Sequence, residues 1–277
     1  MILGVDAGGD RVKVYGELEE MSFQSILGEY RERKLVTTFS NEDMIYEFNG
    51  QKGFAGTLAM YESNYAASML GDNKAHSDLL IRVLIALHKY SNETEFKIVV
   101  GQPISKHDNK HKQLIKEMLI GSHKFTLNNV TKQINITHVE VAAEGAAAFW
   151  SSPRNGQVRL LDIGSGTVNG ATLNNGAYID KGSFTIKEGL NTHDDIDLEK
   201  FARKVATTAL KKWEVDDTVL LVGGGAETLL TYLQEYFFNL QVLSPKVKKG
   251  GLIKEYKPIF ANAIGFYTIA KKVYSNE

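Results

Sequence analysis

Two stretches of the chain end an apolar run on an aspartate and follow it with glycines: Ile2-Leu3-Gly4-Val5-Asp6-Ala7-Gly8-Gly9-Asp10-Arg11-Val12-Lys13 and Leu160-Leu161-Asp162-Ile163-Gly164-Ser165-Gly166-Thr167-Val168-Asn169. Glycine has no Cβ and tolerates positive φ, so turns of this kind can bring backbone N–H groups against a phosphate. The aspartate is a hard oxygen ligand suited to Mg2+, directly or through the waters that this cation gives up reluctantly. One such phrase is ordinary turn chemistry. Two copies imply a duplicated device whose halves close on one phosphorylated ligand. A third glycine cluster, Gly223-Gly224-Gly225, follows the apolar run Thr218-Val219-Leu220-Leu221-Val222. There a flat ligand can lie on bare backbone, and the N-terminus of the next helix favours anions. Glu144 stands among small residues in Ala142-Ala143-Glu144-Gly145-Ala146-Ala147-Ala148-Phe149-Trp150. At a helix start it could simply complement the dipole. Its place directly before the second glycine turn favours a functional role.

These groups need strands and helices to hold them. Alternating and apolar runs predict strands over 2–7, 14–18, 34–39, 44–54, 96–100, 136–141, 158–162, 170–173, 178–186 and 218–222. Leu79, Leu80, Val83, Leu84 and Leu87 recur at helical spacing and predict a helix over 76–90, with Ser77 and Asp78 as start signals. Further helices are expected over 108–119, 142–150, 194–213, 228–237 and from 258 or 259 to 274. The last contains Ala261, Ala263 and Gly265, small residues that permit the close contact a hinge between two domains requires. Lys246, Lys248, Lys249, Lys254 and Lys257 surround Gly250-Gly251; this basic loop is either simply solvated or meets nucleotide phosphate, a neighbouring subunit or DNA. His107 and His111 have ligand-like spacing but stand among Lys106, Asp108, Asn109, Lys110 and Lys112, so a solvated face is expected rather than a metal site.

Composition narrows the function classes. The chain has 277 residues, enough for one large or two small domains, and the duplicated phrase favours two. With 43% hydrophobic and 23% charged residues it reads as a folded globular protein rather than a disordered one. A formal net charge of −1 gives the body of the fold no electrostatic case for binding nucleic acid. Cysteine is absent, which excludes disulfides and thiolate metal sites. No signal segment or long apolar run is evident, and a cytoplasmic protein without membrane association is expected.

Taken in order, first phosphate turn, connecting helix, second phosphate turn, glycine motif and second connecting helix resemble the actin, Hsp70 and sugar kinase superfamily. Val100-Gly101-Gln102-Pro103 and Phe260-Ala261-Asn262-Ala263-Ile264-Gly265-Phe266-Tyr267 look like the bacterial plasmid-segregation actins, the ParM or StbA group. The stretch from Asp162 to Gly223 is too short for the subdomain that usually covers adenine, which makes the chain most similar to the AlfA-type plasmid actins of Bacillus.

The resemblance implies an α/β actin-like ATPase fold: two related RNase H-like halves around a nucleotide cleft, with subdomain IIB reduced or absent. Domain I would span 1–141, completed by 259–277, and domain II 142–258. The function implied is a filament that assembles with ATP or GTP and Mg2+, hydrolyses slowly to time its disassembly, and segregates plasmid DNA. Its partners would be copies of itself in a two-stranded helical filament and a DNA-binding adaptor on the plasmid centromere, with no direct sequence-specific DNA contact. By motif position Asp6 and Asp162 would organise Mg2+ through its waters. Gly8, Gly9, Asp10, Lys13, Gly164, Ser165, Gly166 and Thr167 would surround the phosphates, and Gly223, Gly224 and Gly225 would support the nucleoside. Glu144 would orient the attacking water, with Glu140 as the second candidate. The alternative is a small-molecule kinase of the same superfamily, such as a type III pantothenate kinase relative. An Hsp70 role is not expected without a substrate-binding domain after Glu277.

Overall fold

Apolar strands buried on both faces form the centre of each of two sheets. In the computed structural model, which describes residues 1–67 and 74–275, the first half runs β1 (Ile2–Ala7), β2 (Arg11–Gly16), β3 (Met21–Gln24), β4 (Leu27–Glu29), β5 (Asp43–Phe48) and β6 (Gln51–Gly56), then helices α1 (Thr57–Glu62) and α2 (Ser77–Tyr90). It continues through β7 (Glu95–Gln102), α3 (Asn109–Leu119), β8 (Gly121–Leu127) and β9 (Val130–Ala143). Among the described residues these strands make one nine-stranded sheet in the order β3-β2-β1-β7-β9-β8-β5-β6-β4. β1, β7 and β9 are mutually parallel at its centre. Leu3, Val5, Ile98, Val99 and Val100 are fully buried there, as expected of parallel strands covered on both faces.

The second half repeats the plan. β10 (Gln157–Ile163) and β11 (Val168–Asn174) form a hairpin, followed by β12 (Ala177–Tyr178), β13 (Phe184–Ile186), helix α4 (Leu198–Ala209), β14 (Thr218–Val222), α5 (Ala226–Leu233) and β15 (Asn239–Val242). Their order is β12-β11-β10-β14-β15, with β13 also on β11. β10 runs parallel to β14 as β1 runs parallel to β7, so both aspartate-glycine phrases occupy the same topological position. A hairpin of β16 (Lys246–Lys249) and β17 (Leu252–Glu255) precedes the final helix α6 (Ala261–Tyr274).

Local rules account for the element boundaries. Asp108 and Asp197 cap α3 and α4 by accepting the backbone N–H groups of His111 and Lys200, each at 3.0 Å. Asn49-Gly50, Asn128-Asn129 and Asn175-Gly176 all take positive φ and close three hairpins, the preference of two-residue turns that match strand twist.

Several expectations change. Residues 34–39 form no strand; Leu35 and Val36 are 82% and 80% exposed, and Phe39 N–H donates to Asp43 within an irregular loop. The run over 44–54 is a hairpin rather than one strand, because Asn49-Gly50 reverses it. β8 and the first part of β9 escape the sequence reading altogether. The helix expected from Ala142 is instead the end of β9, paired with β7 through Ala142 and Ala143. Gly145, at φ +75°, then turns the chain into a short 3-10 turn over Ala147–Ser151. Inter-strand pairing here overrides the helix propensity of alanine. The helix expected over 194–213 is confined to α4, and the one over 228–237 starts earlier, directly after the glycine cluster. The 178–186 strand is split by a 3-10 turn at Asp180–Gly182. The basic segment is a hairpin whose Lys254 pairs with Glu19 and Glu20 at 2.6 and 3.0 Å.

α6 lies across β1, β7 and the 3-10 turn at Ala147–Ser151 with little clearance. A Cβ on Gly4 would stand 2.1 Å from the Ala263 carbonyl oxygen, and one on Gly265 would stand 1.9 Å from that of Ala147. Both obstacles are backbone, which cannot swing aside. Gly265→Ala is therefore expected to destabilise the fold by about 3 kcal/mol or more in urea unfolding. Gly224→Ala, whose Cβ would only touch Ile259 at 3.6 Å, should change stability by less than about 1 kcal/mol. Equal midpoints for the two variants would contradict this packing.

Candidate functional site

A cavity lies between the ends of the two parallel strand pairs, lined from one side by Asp6, Gly8, Gly9, Asp10 and Lys13 and from the other by Asp162, Gly164, Ser165, Gly166 and Thr167. The β1–β2 register sets Asp6 opposite Lys13, and their side chains pair at 2.8 Å. In the second half the matching register sets Asp162 opposite Asn169, a neutral residue whose Oδ1 accepts from Thr185 at 2.8 Å. The two turns thus share geometry but differ in charge. A Cβ on Gly8 would come within 2.8 Å of the Arg11 carbonyl oxygen, and one on Gly164 equally close to that of Thr167. The first turn is held from behind by Ser25, whose N–H donates to the Asp10 carbonyl at 2.9 Å and whose hydroxyl bonds that of Gly9. The second is covered by the segment after β13: Leu190 and Asn191 donate backbone N–H groups to Gly164 and Ser165 at 3.1 and 2.9 Å.

Glu144 projects into the cavity from the end of β9 and is buried. Glu140 does not: it pairs with Lys116 at 2.7 Å, its side chain 42% exposed, outside the cavity lining. Lys74 is the unforeseen member. Its ammonium pairs with the Glu144 carboxylate and lies 3.7 Å from that of Asp6. Burial pushes Asp6 upward, but Lys13 and Lys74 outweigh it and hold its carboxyl below the usual range. For Glu144 burial prevails over Lys74 and, with the Asp6 charge, raises it. Asp162 is raised to about 7 by burial, helped by Glu144 and Asp6. Burial disfavours the Lys74 charge, yet Glu144 and Asp6 overcome this and raise it, so it stays an ammonium.

Gly223, Gly224 and Gly225 form the cavity's third wall, with Ile259 and Asn262 beside them. Gly223 adopts φ +88°, and a Cβ there would lie 2.6 Å from Asp162 Oδ1, which ties the glycine cluster to the acid site. Gly225 N–H donates to the Ile163 carbonyl at 3.0 Å, and α5 starts at the next residue. Asn262 bridges two elements, donating Nδ2 to Asp162 Oδ2 at 2.8 Å and accepting Gly145 N–H at 3.1 Å.

All the residues named for this chemistry other than Glu140 therefore line one space. Lys74, Arg11, Pro103, Leu190, Asn191, Ile259 and Asn262 line it too without having been singled out as site residues. Arg11, Pro103 and Asn262 stand within the quoted Ile2–Lys13, Val100–Pro103 and Phe260–Tyr267 motifs, whereas Lys74, Leu190, Asn191 and Ile259 carry no such signal. Among the described residues no three His, Cys, Asp or Glu side chains are placed to chelate a metal ion by themselves. Mg2+ binds one or two carboxylates together with water and phosphate oxygens rather than an all-protein cage. Oxygen-only acids and close-approach glycines on both walls fit a magnesium–phosphate ligand. His107 and His111 lie elsewhere, bonded to the Val141 carbonyl and Asp108. No helix among the described residues is long and apolar enough to cross a membrane.

Removing the Lys74 charge leaves Glu144 and Asp6 short of a buried cation. Lys74→Met should destabilise the ligand-free protein by about 3–5 kcal/mol. The loss should be greater at about pH 8 than at about pH 5, because the raised Glu144 carboxyl takes up a proton as pH falls and removes the uncompensated charge. Denaturant unfolding of the variant at both pH values checks this; a loss independent of pH would contradict it.

The fold has known counterparts. No curated protein matches the chain in sequence. Among solved structures, an AlfA filament bound to AMPPNP aligns with 100% of this chain and 98% of its own at 21% identity and a TM-score of 0.75. The AlfA filament from B. subtilis plasmid pLS32 aligns over 95% and 97% at 20% identity and a TM-score of 0.76. A 15-stranded ParM filament from Clostridium botulinum aligns over 98% and 99% at 18% identity and a TM-score of 0.74. At such identities the likeness establishes the actin-like fold. The family model described as the actin like proteins N terminal domain matches residues 4–146, half of the chain, and with the fold it shows that this chain belongs to the actin-like proteins.

Proposed function

We propose that the chain is a nucleotide-dependent, filament-forming protein that segregates plasmid DNA, assembling with ATP or GTP and disassembling after slow hydrolysis. The observation that carries this reading is the convergence of two phosphate turns, a glycine platform and three buried carboxylates between two sheets of like topology. The AlfA and ParM filaments of the same fold support it. In this reading the two halves are residues 1–141 with 259–277 and residues 142–258. The adenine-covering subdomain is reduced, consistent with α4 being the one helix between β13 and β14.

Gly8, Gly9, Asp10, Gly164, Ser165, Gly166 and Thr167 present backbone to the phosphates, and Lys13 balances part of their charge. Asp6 and Asp162 would hold Mg2+ through its waters, and the cation when bound would neutralise charge developing on the phosphates. Lys74, already shared by Glu144 and Asp6, supplies a second positive charge within the cavity. Glu144 accepts a hydrogen bond from the attacking water and fixes its line of approach. Gly223, Gly224 and Gly225 carry the nucleoside. The filament, two-stranded by the resemblance, is linked to the plasmid centromere by a separate DNA-binding adaptor, and the protein works in the cytoplasm. A kinase of the same fold would instead need a hydroxyl-facing base for a small acceptor. Every carboxylate named in the cavity already belongs to the phosphate site.

High-speed pelleting with Mg2+ and ATP, GTP, ADP or no nucleotide, followed by negative-stain imaging, tests the proposal. Filaments and free phosphate are expected with a triphosphate. Phosphate transfer to a metabolite without filaments would favour the kinase. Glu144→Gln should keep assembly but slow phosphate release by about 100-fold, so that filaments persist. Normal release from this variant would remove Glu144 from its role.

A further inference from the structure

We propose that Asn262 is a positioning residue, a two-ended clasp that sets Glu144 against Asp162 and so makes hydrolysis depend on how α6 sits between the two halves. The proposal rests on the function given above. Asn262 is buried in the first turn of α6. Its amide has one acceptor end and one donor end, and the partners fix which is which: Gly145 N–H can only donate, so it takes Oδ1, while the Asp162 carboxylate takes Nδ2. Gly145 directly follows Glu144, and Asp162 is the penultimate residue of β10 in the other sheet. One side chain therefore joins the carboxylate that meets the water to the carboxylate that meets the cation's waters.

Its backbone has little freedom. The neighbouring Ala263 presses on Gly4 of β1, and Gly265 presses on Ala147 in the turn after Glu144. Any rotation of α6 relative to either sheet must move the amide or break one of its bonds. The side-chain type is also constrained. Aspartate would keep the acceptor for Gly145 but set a like charge against Asp162, glutamine would add a methylene to a closed span, and alanine would release both ends.

Three variants distinguish these ends. In nucleotide-free protein, hydrogen exchange at the Gly145 amide should be about tenfold faster in Asn262→Ala than in wild type, and near wild type in Asn262→Asp. In steady-state phosphate release both variants should lose about 10–100-fold in kcat with KM changed less than about threefold. Asn262→Gln should recover part of the kcat lost by Asn262→Ala. Unchanged Gly145 exchange in Asn262→Ala, or wild-type kcat in both variants, would overturn the proposal. The exchange experiment needs no nucleotide. If the wild type hydrolyses none, the functional reading fails, while Gly145 protection still decides whether the clasp exists. A variant that does not fold is replaced by Asn262→Ser, expected to show the faster Gly145 exchange of the alanine variant.

Discussion

Three carboxylates and two ammonium groups are held out of water where the two sheets meet, and the rest of the molecule is arranged around that buried charge. Ions transferred from water into a protein interior cost several kcal/mol each unless paired. Asp6, Glu144 and Asp162 share Lys13 and Lys74, one cation too few when all three acids are ionised. The burden shows in the titration of the group least well served: Asp162, with only the Asn262 amide as a side-chain donor, is raised to about 7. Such a cluster is a poor way to stabilise a fold. It is a suitable way to make a cleft that a divalent cation and a polyanion complete together.

This constraint explains the architecture on either side. Parallel strands that end together bring Asp6 and Glu144 to one edge of the first sheet, and Asp162 stands near the corresponding end of β10 in the second, across the cavity. The hairpins that follow Asp6 and Asp162 supply tight turns, and α6 fills the seam with residues small enough to touch backbone. The basic β16–β17 hairpin lies apart from the cavity lining. Its Lys246, Lys249 and Lys254 pair with Glu255, Glu19 and Glu20, which neutralises part of the basic charge that the sequence concentrates there.

What could be read in advance follows from the range of the forces involved. The two aspartate-glycine turns and the glycine cluster are legible as backbone features because aspartate and glycine act through local backbone geometry, which a short phrase records. Lys74 was not, because it meets Glu144 across 70 residues and carries no motif of its own. Asn262 meets Asp162 across 100 residues, and the Phe260–Tyr267 motif that contains it does not reveal that partner. Glu144 was found for a position before the second turn that the structure keeps, although the helix assigned to it is the end of a strand. There the long-range pairing of Ala142 and Ala143 with β7 decides the conformation, and composition could not show that partner.

On the proposed function, the acid cluster accepts a nucleotide only together with a cation. Calorimetric titration of ATP into the wild-type protein, with Mg2+ and with the cation chelated, addresses it most directly. The account predicts binding that is at least about tenfold tighter with Mg2+, since without it the phosphates meet buried carboxylates that Lys13 and Lys74 do not fully balance. Equal affinity in the two conditions would contradict it.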